Sequence, residues 1–70
     1  MVILTCKLST HITKSVDVNI SDPLYILLDK LNIYDKKTKF TFYGGTYCLA
    51  STLTFQEIGI TGNCIIFINN

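Results

Sequence analysis

The side chains that could perform catalysis are few and are spread along this chain. The single histidine, His11, lies between two alternating segments, where a turn residue is expected. The acidic residues do not form a pair at a spacing that suggests a general acid and a general base. Gly44-Gly45 lacks the G-x-x-x-x-G-K pattern of a phosphate-binding loop. We therefore predict a protein that is not an enzyme and has no catalytic residue, no cofactor and no small-molecule substrate.

The three cysteines form no metal-binding or redox motif. Cys6, Cys48 and Cys64 are odd in number, and none of them is spaced as C-x-x-C. Cys6 lies in an apolar segment, which favours a small core side chain. With neither a signal peptide nor a disulfide framework in view, we expect no metal and a reducing intracellular compartment. The cytoplasm or nucleus is favoured, and an organelle matrix stays open.

The composition indicates an unusually apolar surface. Charged residues make up 16% of the 70 residues and hydrophobic residues 49%, whereas charged residues are about 25% of ordinary soluble domains. The longest apolar run, residues 64–68, is far shorter than the roughly 18 residues of a membrane span. A net charge of +1 without arginine argues against a nucleic-acid partner. The composition therefore favours a protein partner.

Two kinds of spacing between hydrophobic residues predict the strands and the helix. Alternating apolar residues predict strands at 2–8 and 13–20, joined as a hairpin. Further strands are predicted at 39–43 and 64–68, with a short one at 47–49. We expect one sheet with one buried face.

A single helix is predicted at residues 23–32. Ser21 or Asp22 is expected to cap it, and Pro23 suits its first turn. Its apolar residues recur at i, i+3, i+4 and i+7 and form one stripe that must pack on the sheet. They are Leu24, Leu27, Leu28 and Leu31.

The order of these segments resembles ubiquitin. V-I-L-T-C-K resembles its first strand, F-T-F-Y-G-G its third strand and turn, and Glu57-Ile58-Gly59-Ile60 the loop before its last strand. The resemblance covers nearly the whole chain and implies one ubiquitin-like domain over residues 1–70. It implies an α+β β-grasp fold: a mixed sheet of four to five strands, parallel first and last strands, and one helix packed across the sheet.

The resemblance implies a function in protein binding rather than conjugation. Activation of ubiquitin requires a Gly-Gly tail, and this sequence ends at Asn69-Asn70. We therefore expect a small subunit or adaptor that is held non-covalently in a larger protein assembly. Two alternatives stay open: a conjugated modifier whose Gly-Gly tail is missing from this chain, and, less favoured, a sulfur-carrier β-grasp protein.

The expected contact surface is the outer face of the sheet. Ubiquitin's receptor-binding leucine, isoleucine and valine correspond to Ser9, Thr41 and Ile68, and the flanking histidine corresponds to Ile66, so standard ubiquitin receptors should not bind. If Leu4, Cys6, Ile65 and Phe67 face the helix, the alternate residues point outward. The predicted interaction face is Ile3, Thr5, Ser9, Thr41, Ile66 and Ile68, with a possible extension over Tyr43, Gly44, Gly45 and Tyr47.

Overall fold

The computed structural model describes residues 1–69. The elements follow in the order β1 (Val2–Lys7), β2 (Thr13–Val18), α1 (Ile26–Lys30), β3 (Lys39–Phe42), β4 (Gly45–Cys48) and β5 (Cys64–Asn69). The strands form a five-stranded sheet in the order β2-β1-β5-β3-β4. β1 and β5 are parallel, and the other neighbouring pairs are antiparallel. The predicted mixed sheet, one helix and parallel pairing of first and last strands are confirmed.

The core lies on one side of the sheet. Leu4 and Cys6 of β1, Phe40 of β3 and Ile66 of β5 are fully buried in one cluster. The helix adds Leu27, also fully buried. Three of the four predicted stripe leucines, Leu24, Leu27 and Leu31, are buried, and Leu28 packs at the edge of the cluster.

The helix is shorter than predicted, and its predicted cap is wrong. Its N-cap residue is Tyr25, which makes no side-chain capping bond. The Asp22 carboxylate instead accepts a hydrogen bond of 3.1 Å from the Asn19 N–H and closes the turn after β2. The Leu24 N–H donates to the Leu53 carbonyl at 2.8 Å. That bond ties the backbone at residue 24 to another segment, so α-helical bonding begins later.

The helix ends in a left-handed residue. Asn32 has a φ of 55°, and the Ile33 N–H donates back to the Leu28 carbonyl at 2.8 Å. The Asn32 N–H donates to the Asp29 carbonyl at 3.3 Å. This pair of bonds satisfies carbonyls that the end of a helix leaves free, and asparagine is one of the residues that tolerate the conformation. The end of the helix is therefore encoded locally.

The β3–β4 hairpin has a tight turn with two positive φ angles. Phe42 pairs with Gly45, and between them Tyr43 has a φ of 49° and Gly44 a φ of 77°. Positive φ at both central residues is the type I′ geometry, which suits the twist of the flanking strands. Because the turn is so short, β4 begins at Gly45, earlier than the predicted start at 47.

The segment between β4 and β5 packs on the core without forming a strand. Phe55 and Ile60 are buried there. Thr54 and Glu57 bond reciprocally: the Thr54 N–H donates to the Glu57 carboxylate at 2.9 Å, and the Glu57 N–H donates to the Thr54 hydroxyl at 3.1 Å. Such a pair holds a tight turn in place.

Within residues 1–69, no helix is long and apolar enough to cross a membrane.

Candidate protein-binding face

The sheet face turned away from the helix is apolar at its centre. We call this surface the outer face. Ile3 of β1 and Ile65 and Phe67 of β5 are 46%, 49% and 51% exposed. The register places Thr5 beside Ile65, and Thr41 of β3 beside Phe67. Because β1, β5 and β3 are adjacent strands, these side chains form one continuous patch.

The predicted orientation of β5 is wrong by one residue. The sequence predicts Ile66 and Ile68 on the outer face, yet they are 0% and 6% exposed. Cys6, a buried β1 residue, is the register partner of Ile66. Alternation along the strand then turns Ile65 and Phe67 outward. The ubiquitin patch positions that the resemblance placed on Ile66 and Ile68 are therefore core positions.

The predicted threonines and serine have defined places. Thr5 and Thr41 are half-buried within the outer face. The Thr41 hydroxyl accepts a hydrogen bond of 2.8 Å from the Asn69 side-chain amide. Ser9 lies at the rim, where its hydroxyl accepts from the backbone N–H groups of His11 and Ile12 at 3.2 and 3.1 Å. Ser9 and His11 therefore belong to the β1–β2 turn.

The two tyrosines of the predicted extension lie in different places. Tyr47 is the register partner of buried Phe40, and their ring centroids are 5.6 Å apart, so Tyr47 lies on the core side of the sheet. Its ring covers Gly45, where a Cβ would approach the hydroxyl to 2.9 Å. Tyr43 is 93% exposed at the turn, beside Gly44. Of the four residues of the predicted extension, Tyr43 and Gly44 lie next to outer-face residues Thr41 and Phe67.

A hollow opens where β3 and β5 stop pairing. Their last pair is Thr41 with Phe67, although β5 already begins at Cys64. The gap between the end of β3 and the start of β5 is a hollow of about 600 Å³. Tyr43 and Phe67 both line it. Its complete lining is uncharged and consists of Thr41, Phe42, Tyr43, Gly44, Asn63, Cys64, Ile65 and Phe67.

Comparison with solved structures identifies the architecture. The ubiquitin-like domain of an Arabidopsis thaliana protein superposes with a TM-score of 0.78 over 97% of this chain and 74% of that one, at 21% sequence identity. The chain has a ubiquitin-like fold. A computationally designed protein based on human erythrocytic ubiquitin gives a TM-score of 0.75 at 22% identity, covering 99% of this chain and 90% of that one. No protein-family model and no curated protein matches the sequence.

Charge on the outer face of this ubiquitin-like sheet is confined to the margins of the patch. Lys7 is the register partner of Phe67, and Lys39 is the register partner of Asn69, so both lysines lie toward the end of the patch where β5 ends. Asp17 lies at the opposite end, as the partner of Ile3. These three residues are exposed, and the fourth charged residue of the sheet, Lys14, is the register partner of buried Cys6 and so belongs to the opposite face. The outer face is therefore apolar at its centre and cationic at one end.

Burial disfavours ionisation of the thiol that faces the core. Cys6 is fully buried, and burial raises the pKa of its thiol to about 11, with the nearby Cys64 adding to the shift. Burial also raises the pKa of Cys64. A thiolate is the reactive form of cysteine, so both residues are disfavoured as nucleophiles.

In the described part of the chain, no group of three His, Cys, Asp or Glu side chains could hold a metal ion.

Proposed function

We propose that this chain is a non-enzymatic ubiquitin-like protein-binding module. In this proposal it is a small subunit or adaptor, held non-covalently in a larger protein assembly through its outer face. The observation that carries the proposal is the continuous exposed patch of Ile3, Ile65 and Phe67 on the central strands. Contiguous exposed apolar patches of this kind mark interaction surfaces.

The patch offers enough apolar surface to drive binding. Complete burial of an isoleucine or phenylalanine side chain contributes about 1.5–3 kcal/mol. Ile65 and Phe67 are about half exposed, so each retains roughly half of that contribution for a partner. Aromatic residues at the centre of an interface commonly dominate its affinity. We therefore place Phe67 at the centre of the contact, with Ile3, Thr5 and Thr41 around it.

The experiment is a comparative pull-down from native extract, with bound proteins identified by mass spectrometry. The wild-type chain is compared with Phe67→Lys, which places a charge at the centre of the patch. Gln56→Lys is the matched control, because Gln56 is exposed on the turn after Thr54 and the change adds the same charge. We expect the partner to be captured by the wild type and the control and lost with Phe67→Lys. Capture by a folded Phe67→Lys variant would contradict the proposed face.

The alternatives differ from this proposal in their covalent chemistry. A conjugated modifier or a sulfur carrier requires terminal glycines, and either would be found with a C-terminal extension or a covalent attachment. The intact mass of the protein from its native source measures both.

We also propose a reducing intracellular compartment, the cytoplasm or nucleus, because Cys6, Cys48 and Cys64 are free thiols.

A further inference from the structure

We propose that the hollow between Tyr43 and Phe67 receives one apolar side chain from a protein segment that also carries acidic residues, which lie over Lys7 and Lys39. This inference rests on the proposed function and names the chemistry of the partner. It depends on the backbone of Tyr43, the lining of the hollow and the distribution of charge on the outer face.

Tyr43 combines backbone strain with nearly complete exposure. Its φ of 49° lies in the left-handed region, which is strained for a residue with a Cβ. Asparagine or glycine is the usual choice at this position of a type I′ turn. Burial of the side chain offsets little of the cost of this backbone strain, since 93% of Tyr43 is exposed. Its ring packs against that of Phe42 at a centroid distance of 4.6 Å. Strain of this kind concentrates at ligand-binding positions.

The hollow defines the group that fits beside Tyr43. Every residue that lines it is uncharged, and Tyr43, Ile65 and Phe67 supply apolar walls. A charged side chain would lose its hydration there without gaining a partner. An aromatic or branched aliphatic side chain would bury the exposed parts of Ile65 and Phe67. The occupant is therefore an apolar anchor residue.

The lysines define the rest of the segment. Lys7 lies beside Phe67, and Lys39 lies beside Asn69 at the next step along β5. An anchor seated in the hollow directs the adjoining part of its chain across Phe67 toward these ammonium groups. Acidic residues there would be attracted, and basic residues would be repelled. The acidic residues therefore lie on one side of the anchor in the segment.

The first experiment selects ligands without assuming their sequence. Random peptides of about 12 residues, displayed on phage, are selected on the wild-type chain and depleted on Phe67→Lys. We expect a consensus with one aromatic or branched aliphatic residue and acidic residues on one side of it. A consensus that is basic, or that lacks an acidic flank, would overturn the inference. Failure to select any peptide would also overturn it, while the pull-down above still tests the proposed function.

The second experiment uses variants of Tyr43 with a selected peptide as the probe. Tyr43→Asn relieves the turn, so we expect a melting temperature at or above that of the wild type together with binding weakened roughly tenfold or more. Tyr43→Phe keeps the aromatic wall and should bind within about twofold of the wild type. If Tyr43 were only a turn residue, Tyr43→Asn would bind normally, which would overturn the inference.

The charge component has its own measurement. Lys39→Gln should weaken binding of the same peptide and reduce its dependence on salt, because one exposed charge pair is removed. Unchanged affinity and salt dependence would contradict the acidic flank.

Sedimentation equilibrium of the wild type and Phe67→Lys tests a different occupant, a second copy of this chain. Dimerisation that Phe67→Lys abolishes would assign the hollow to that copy and overturn the inference.

Discussion

Ile66 and Phe67 are consecutive residues of β5 with opposite environments: the isoleucine is fully buried, and the phenylalanine is 51% exposed. The pairing of β5 with β1 sets this arrangement, since Cys6 faces the core beside Ile66 and exposed Lys7 lies beside Phe67. A shift of one residue would exchange the core and the binding face. The register of this one strand pair therefore determines which side chains a partner can reach.

Lysine substitutions at these neighbouring positions should have opposite effects on folding. Ile66→Lys places an ammonium group in the core without a partner for its charge, so we expect the chain to lose its fold. Phe67→Lys should leave the chain folded, at a cost of about 1 kcal/mol for the half-buried ring. Circular dichroism and thermal melting of the two variants test this. Equal stability of the two would show that the register of β5 is different.

Leu27 should be a major determinant of stability. It is fully buried beneath the sheet, and truncation of such a leucine to alanine costs about 2–5 kcal/mol. Domains have about 0.05–0.15 kcal/mol of stability per residue, so Leu27→Ala should remove a large part of the total. Leu28→Ala is the control, because Leu28 is only half-buried. Urea unfolding should show a much smaller loss for the control, and similar losses would contradict the observed helix face.

The sequence predicted most of the fold because most segments have a clear period. In β1, apolar residues alternate with polar ones at several positions, and the helix stripe from Leu24 to Leu31 has only one way to face the sheet. Residues 64–68 are apolar without interruption, so no alternation reveals which of them point inward. The side-chain orientation of β5 depends on its pairing with β1, which is a long-range contact. For this reason the predicted outward orientation of Ile66 and Ile68 is wrong.

The hollow could not be read from the sequence for a related reason. It exists because β3 and β5 stop pairing at Thr41 and Phe67 while β5 begins at Cys64. The point where two distant strands separate is set by the turn at Tyr43 and by the loop before β5. Tyr43 and the glycines after it are visible in the sequence, but the strain at Tyr43 follows from the two-residue length of the turn, which only the structure shows.

The Thr54–Glu57 pair should be energetically coupled. Thr54→Ala removes the hydroxyl that accepts from the Glu57 N–H, and loss of such a capping group costs about 1 kcal/mol. Thr54→Ser retains the acceptor and is the matched control. In a double-mutant cycle with Glu57→Ala, measured by urea unfolding, the two losses should be less than additive, because each change disrupts the same turn. Strict additivity would show that the two bonds act independently.

Stability should fall at alkaline pH through Cys6. Its thiol has a pKa of about 11 in the folded chain against 9.0 when unperturbed, because it is buried. Between these values the unfolded state has released the proton and the folded state still holds it, so the free energy of unfolding decreases as pH rises. Cys64, whose pKa is also raised, acts in the same direction. Urea unfolding at about pH 8 and about pH 10.5 should therefore show a loss of stability in the wild type. Cys6→Ala should show a smaller loss, since every other ionisable group is common to both chains. An identical loss in the two would show that Cys6 is not protected from ionisation by the fold.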